Sequence, residues 1–154
     1  MNFYSKAAIL CGFLVALSPS MAAARDDGFD PSAYKGKVVY LDFWASWCTP
    51  CRQSFPWMSQ LQEVYGPRGL VVVAVNVDHD RALAAQFLQR YAPQFKIVYD
   101  SEGKIAERYD FKDMPTSILI GRDGKIAYEH AGFYPDQEMQ YTAHVESLIK
   151  QGSP

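Results

Sequence analysis

Hydrophobic and polar positions alternate along this chain in blocks that predict strands and helices in turn. A β-branched and aromatic run over 37–43 predicts a buried strand, and a nearly continuous apolar run over 70–77 predicts a second strand of the buried parallel kind. Between them, apolar residues recur at helical spacing over 49–65 and predict an amphipathic helix. The pattern therefore begins with a strand, a helix and a parallel strand.

The rest of the chain continues this alternation and then changes to a hairpin. Asp80 is a suitable N-cap for a second helix. The later elements are a strand over 95–99, a helix over 104–109, strands over 117–120 and 126–130, and a helix from Asp136. The turn residues Gly121-Arg122-Asp123-Gly124 join the last two strands. This order indicates an α/β fold with a central mixed sheet flanked by helices.

The N-terminal segment has the pattern of a secretory signal. A short apolar run follows a single Lys6, and Ala22-Ala23-Ala24 supplies the small residues that predict signal-peptidase cleavage before Arg25. The apolar run is shorter than the ~20 residues that a membrane-spanning helix needs. We therefore expect a cleaved signal peptide over 1–24 and one periplasmic domain over 25–154. A retained membrane anchor is the alternative.

Composition and cysteine content narrow the class of function. The chain has 154 residues, of which 49% are hydrophobic, which suits a globular protein. Its formal net charge of −2 argues against a nucleic-acid binder. Of its three cysteines, only Cys48 and Cys51 lie outside the predicted signal. One close pair in an exported chain favours redox chemistry over stapling of the fold.

These two cysteines occupy the start of a predicted helix, directly after a predicted buried strand. At that place free backbone N–H groups and the helix dipole favour the thiolate over the thiol. We expect Cys48 to attack a substrate disulfide and form a mixed disulfide, and Cys51 to resolve it, which leaves a Cys48–Cys51 disulfide. Pro50 fits the first helical turn, where its missing N–H has no cost.

A metal site is the competing interpretation of two closely spaced cysteines. A closed zinc site needs four ligands, and His79, His130 and His144 lack a spacing that would complete such a set. We therefore expect no metal and no cofactor, and we interpret the histidines as surface or hydrogen-bonded residues. A copper-binding or copper-delivery module stays open, because thiolates favour Cu(I).

Asp42 is an acid in an otherwise apolar strand, where burial is costly unless the group is paired or neutral. Our hypothesis is a buried carboxyl with a raised pKa that exchanges a proton with Cys51. The alternative is an ordinary carboxylate at an exposed strand end.

Two segments resemble the signatures of the thioredoxin family. Residues 42–51, DFWASWCTPC, resemble its active-site segment, and residues 111–117, FKDMPTS, resemble its second signature, which ends in a cis-proline facing the cysteines. The stretch 91–126 is similar to the exported TlpA/ResA/DsbE branch, whose helix–strand insert would fall at 81–99. The resemblance covers roughly 30–150 and implies a thioredoxin-like fold.

The same resemblance implies an activity and its partners. Members of this branch reduce protein disulfides outside the cytoplasm, often on apocytochrome c, with electrons from a membrane thiol donor. Many of them have Asn at the position of Asp42 and an acid at the position of Ser54, so this chain places its acid where thioredoxin does. Cytochrome c maturation is therefore one candidate role within a broader activity as a thiol–disulfide reductase.

The resemblance also assigns a substrate-binding surface around the cysteines. It implies a cis peptide bond at Pro115, although sequence statistics alone favour trans. Trp47 is expected to flank the cysteines as substrate surface. Trp44 is interpreted equally as substrate surface or as packing, and Trp57 as packing only. The full predicted binding set is Trp47, Thr49, Pro50, Met114, Pro115 and Gly132.

We therefore expect an enzyme, a monomeric thiol:disulfide oxidoreductase that reduces protein disulfides and has no nucleic-acid partner. Two alternatives share the fold. Thioredoxin-like copper carriers resemble a CxxxC pattern with a distal histidine, whereas this chain has CxxC. Disulfide oxidants usually carry a histidine between the cysteines, and Thr49-Pro50 supplies none.

Overall fold

The fold is a mixed five-stranded sheet between two helical layers, seen in a computed structural model that describes residues 28–111 and 113–151. In chain order the main elements are β1 (Val38–Trp44), α1 (Thr49–Tyr65), β2 (Leu70–Asn76), α2 (Arg81–Tyr91), β3 (Lys96–Tyr99), α3 (Lys104–Tyr109), β4 (Thr116–Ile120), β5 (Ile126–Ala131) and α4 (Glu138–Lys150). The order of elements predicted from the sequence is confirmed, including the helix and strand expected over 81–99.

The strands lie in the order β3-β2-β1-β4-β5. β1, β2 and β3 are parallel, whereas β4 is antiparallel to both β1 and β5. The central strand β1 is buried along its whole length, which explains its run of β-branched and aromatic residues. The predicted mixed sheet is confirmed.

Side chains of β1 alternate between two cores. Tyr40 and Trp44 face a core formed with α1, α2 and α4, and Leu41 and Phe43 face a second core that includes Ile105 of α3. Asp42 lies in register with the first group, so its side chain faces the layer that contains α1.

The last helix begins slightly later than predicted. A short 3-10 turn, Pro135–Gln137, contains Asp136, and α4 starts at Glu138. Within that turn the Gln137 N–H donates to the Tyr134 carbonyl at 2.9 Å, which is the tighter hydrogen bond of a 3-10 turn. The inward side of α4 is buried and includes Tyr141, Val145, Leu148 and Ile149.

The predicted signal peptide over 1–24 lies outside the described residues. Within 28–111 and 113–151, no helix has the length and hydropathy that crossing a bilayer requires.

Candidate active site

The two cysteines lie at the N-terminus of α1, directly beyond the carboxyl end of β1. They form a disulfide, as predicted, and both are buried, with Cys48 3% and Cys51 0% exposed. Cys48 is the N-cap residue of α1, and its Sγ accepts a hydrogen bond from the Cys51 N–H at 3.2 Å. A thiolate at Cys48 would keep this donor and the positive end of the helix dipole, so the site favours ionisation of that sulfur.

The loop before the cysteines is fixed by a carboxylate that the sequence analysis did not identify. Asp78, just beyond β2, accepts hydrogen bonds from the Ser46 N–H at 2.9 Å and the Ser46 hydroxyl at 3.0 Å. Asn76 donates to the same carboxylate at 2.8 Å. The sequence could have indicated this role for Asp78. Asn76 and Asp78 lie at and just beyond the end of a buried parallel strand, and the carboxyl ends of such strands meet at one edge of the sheet.

Asp42 is fully buried in the centre of β1, as predicted. One carboxyl oxygen accepts a hydrogen bond from the Ser117 hydroxyl at 2.6 Å, and the other has no hydrogen-bond partner among the described residues. Burial raises the pKa of Asp42 to about 7, and the Ser117 hydrogen bond opposes part of that rise. The carboxyl is therefore available to gain or lose a proton near neutral pH. Its exchange with Cys51 stays a prediction.

Replacing Ser117 with Ala should raise the pKa of Asp42 further. The Ser117 hydroxyl donates to the charged carboxylate and lowers its pKa, so removing this donor favours the protonated form. The Asp42 carboxyl carbon, followed by NMR across pH 5–9, reports the change. Ser147→Ala is the control, because the Ser147 hydroxyl donates to the His144 carbonyl and does not contact Asp42. An unchanged pKa in Ser117→Ala would contradict this assignment.

The second signature forms a loop at the same end of the sheet. The Met114–Pro115 peptide bond is cis, as the resemblance implied, and Pro115 is buried. Thr116 pairs with Phe43, so the antiparallel register places Pro115 at the end of β1 that leads to the cysteines. The Pro115 carbonyl accepts a hydrogen bond from the Gly132 N–H at 2.7 Å.

The predicted binding residues are exposed to different degrees. Trp47 is 65% exposed and Thr49 is exposed, while Pro50, Met114 and Gly132 are partly exposed. Met114 packs against the core cluster that contains both cysteines. Their contact with a substrate stays a prediction.

Tyr134 extends this surface and was missed in the sequence analysis. Its ring lies close to Gly132, where an added Cβ would be 3.1 Å from a Tyr134 ring carbon. Gly132 has a φ of +77°, which glycine adopts without strain. Tyr134 is 52% exposed, so an aromatic ring remains open to solvent beside this loop.

The remaining aromatic and histidine residues have structural contacts. Trp57 is buried in the core, as predicted. Trp44, for which substrate surface and packing were both open, is also buried in the core. His79 Nδ1 lies 2.9 Å from the Ser101 carbonyl, and His130 Nε2 lies 3.3 Å from His144 Nδ1. The interpretation of these histidines as surface or hydrogen-bonded residues is confirmed. The described part of the chain contains no group of three or more side chains suited to a metal ion.

Comparison with known proteins gives a family that fits the fold and the cysteine pair described above. The Redoxin family model matches residues 17–145. The chain belongs to the Redoxin family. Within it, the predicted TlpA/ResA/DsbE relationship is confirmed, and this is a family of thiol–disulfide oxidoreductases.

Three relatives illustrate the similarity. The thiol-disulfide oxidoreductase ResA of Geobacillus kaustophilus is 32% identical over 117 residues, which are 76% of this chain and 66% of that protein. ResA of Bacillus subtilis is 36% identical over 95 residues, which are 62% of this chain and 53% of that protein. The chain therefore spans from about half to just under two thirds of these relatives.

A solved structure gives the third comparison. It is the crystal structure of a Chlorobium tepidum protein described as a thiol:disulfide interchange protein DsbE. The two chains are 45% identical, with a TM-score of 0.75, over 77% of this chain and 84% of the other. The thioredoxin-like fold class is thereby confirmed.

Proposed function

We propose that this chain is an exported thiol–disulfide reductase that transfers two electrons from the Cys48–Cys51 dithiol to the disulfide of a protein substrate. The observation that carries the proposal is the position of Cys48 as N-cap of α1, with its sulfur hydrogen-bonded by a backbone N–H. The family and the exposed Trp47 beside the cysteines support it.

The reaction proceeds through a mixed disulfide. The Cys48 thiolate attacks one sulfur of the substrate disulfide, so that a new S–S bond forms and the other substrate sulfur leaves as a thiolate. Cys51 then loses its proton and attacks the Cys48 sulfur. The Cys48–Cys51 disulfide forms and the second substrate thiol is released. The dithiol has been oxidised by two electrons and the substrate reduced by two.

Asp42 acts in the second step as the acceptor of the Cys51 proton. Support comes from its full burial, its pKa of about 7 and the oxygen that has no partner among the described residues. A base with a pKa near the working pH is the most effective general base. Trp47, Thr49, Pro50, Met114, Pro115 and Gly132 contact the substrate chain.

The enzyme works as a monomer in the periplasm and receives electrons from a membrane thiol donor. The signal pattern over 1–24 supports export, with cleavage before Arg25. An oxidising compartment would oxidise the pair without such a donor. Apocytochrome c, in cytochrome c maturation, is one candidate substrate within this activity.

The decisive experiment is the redox state of the pair in cells, together with its reduction potential. We expect mostly dithiol in cells, with a potential nearer thioredoxin's about −270 mV than DsbA's about −120 mV. Trapping with a mass-tagged alkylator, in cells and against dithiothreitol or glutathione buffers, measures both. An oxidised pair with a potential near that of DsbA would make the protein an oxidant. A reduced pair with bound copper and no exchange activity would make it a copper carrier.

A further inference from the structure

An open groove lies between α1 and α2, beside the loop that carries the cysteines. We call it the basic groove, and its lining includes Ser46, Arg52, Leu83, Phe87, Arg90 and Tyr91. Its volume is about 360 Å³. Ser46 precedes Cys48 by two residues and Arg52 follows Cys51 directly, so the groove adjoins the dithiol on both sides of the motif.

The charge of this groove is opposite to that of the chain as a whole. Arg52 and Arg90 both line it and are exposed, and no Asp or Glu side chain lines it. Neither arginine forms a salt bridge with a carboxylate in the part of the chain that the structure describes. The carboxylate of Asp78 is engaged by Ser46 and Asn76. In a chain of net charge −2, the two cations therefore make a local positive site.

The base of the groove is apolar and well packed. Phe87 is 7% exposed and its ring lies 4.4 Å, centroid to centroid, from that of Tyr91. The Arg90 guanidinium lies 5.9 Å from the centre of the Tyr91 ring, and Leu83 is exposed. The apolar floor of the groove can contact apolar side chains of a peptide, and its two guanidinium groups can bind carboxylates, since Arg pairs with carboxylate through parallel hydrogen bonds. The groove is therefore complementary to a peptide that carries both kinds of side chain.

The groove is within reach of a peptide attached to Cys48. Two residues of extended chain span about 7 Å, which limits the separation of Ser46 from Cys48. A bound substrate strand advances by a similar amount for every two residues. A residue two or more positions from the exchanged cysteine can therefore reach the end of the groove that Ser46 lines, and residues further along enter the groove that Arg52 and Arg90 also line.

We propose that the basic groove docks an acidic segment next to the exchanged cysteine of the protein substrate, and so selects among disulfides. This inference rests on the proposed function. The ion pairs are exposed, so their effect on affinity is modest and sensitive to salt. Their main effect is selection of partners and faster encounter.

Three disulfide-bonded peptides that differ only at positions three and four from the cysteine test this proposal. The pair there is Glu-Glu, Gln-Gln or Lys-Lys, and kcat/KM is measured for each. We expect the reduced enzyme to prefer Glu-Glu over Gln-Gln by about fivefold to tenfold at low salt, and less at high salt. The preference should disappear in the double variant R52Q/R90Q and turn towards Lys-Lys in R52E/R90E.

Arg108→Gln is the matched control, because Arg108 is an exposed arginine on α3, away from the groove. It should keep the wild-type preference. Equal rates for all three peptides in the wild type would overturn the docking site while leaving the reductase intact. If no peptide is reduced, the proposed function fails. In that case the docking site can still be tested by NMR titration with versions of the peptides in which the cysteine is replaced by serine. Equal chemical-shift changes of the groove residues with the Glu-Glu and Gln-Gln peptides would overturn the docking proposal.

Discussion

Replacement of Cys48 by Ser should reduce disulfide exchange to the uncatalysed rate, whereas replacement of Cys51 by Ser should leave an enzyme that accumulates mixed disulfides. The reason is the position of the two sulfurs on α1. Cys48 is the N-cap, and its sulfur receives the Cys51 N–H, so ionisation is favoured there. Cys51 lies one turn further in and is fully buried, which suits a resolving thiol.

Non-reducing gels of cells that express each variant measure this difference. The Cys51→Ser variant should show higher-mass bands that disappear with dithiothreitol, and Cys48→Ser should show none. Cys48→Ala is the control, because it excludes a contribution from the serine hydroxyl. Bands trapped by Cys48→Ser and absent with Cys51→Ser would reverse the roles of the two cysteines.

The helix that carries this chemistry could be predicted closely because its signals are local. Three local signals favour the same bounds: the apolar spacing over 49–65, Pro50 in the first turn, and Gly66 after the last residue. In the structure α1 is Thr49–Tyr65. The final helix was placed less well. Asp136 is a reasonable start by its side chain, yet Pro135 begins a 3-10 turn before α4.

Contacts between distant segments could not be predicted from periodicity. Ser117 is 75 residues from Asp42, and only the antiparallel pairing of β1 and β4 places its hydroxyl on the carboxyl group. Asp78 is likewise 32 residues from Ser46. The burial of Asp42 could be predicted, because its neighbours in β1 are all apolar, but its hydrogen-bond partner could not.

The cis peptide bond before Pro115 could not be predicted from residue statistics. Residue statistics favour trans before any proline, so the residues themselves predicted the wrong isomer. The resemblance of 111–117 to a family signature gave the correct one. The basic groove was not predicted either, because Arg52 and Arg90 come from two helices that only the fold brings together.

Replacement of Asp42 by Asn should slow the attack of Cys51 on the mixed disulfide by about a hundredfold near pH 8, a common size for the loss of a general base. The pKa of Asp42 is about 7, so the wild-type carboxyl is mostly protonated below that pH and accepts a proton above it. The wild-type rate of resolution should therefore rise through pH 7. In Asp42→Asn that rise should be absent, and only the ionisation of the thiols should remain.

The same substitution should stabilise the fold at alkaline pH. Burial raises the pKa of Asp42 from 3.8 to about 7, so the folded protein binds its proton more tightly than the unfolded chain does. Stability from this group is fully present below pH 3.8 and is lost as pH rises to about 7. At full ionisation the loss is at most roughly 4 kcal/mol. Asparagine avoids this loss of stability, because it has no charge to bury. Its buried amide N–H2 group costs about 1–3 kcal/mol if it has no hydrogen-bond acceptor.

Two measurements on the same pair of proteins separate these effects. Resolution rates come from the decay of a preformed mixed disulfide between pH 5 and 9, and unfolding free energies come from urea titrations between pH 4 and 9. The difference in stability, mutant minus wild type, should grow between pH 4 and 8. Asp110→Asn, an exposed acid at the end of α3, should show no such trend. If Asp42→Asn kept the wild-type rise in rate through pH 7 while its stability changed as expected, Asp42 would be a buried acid with no part in proton transfer.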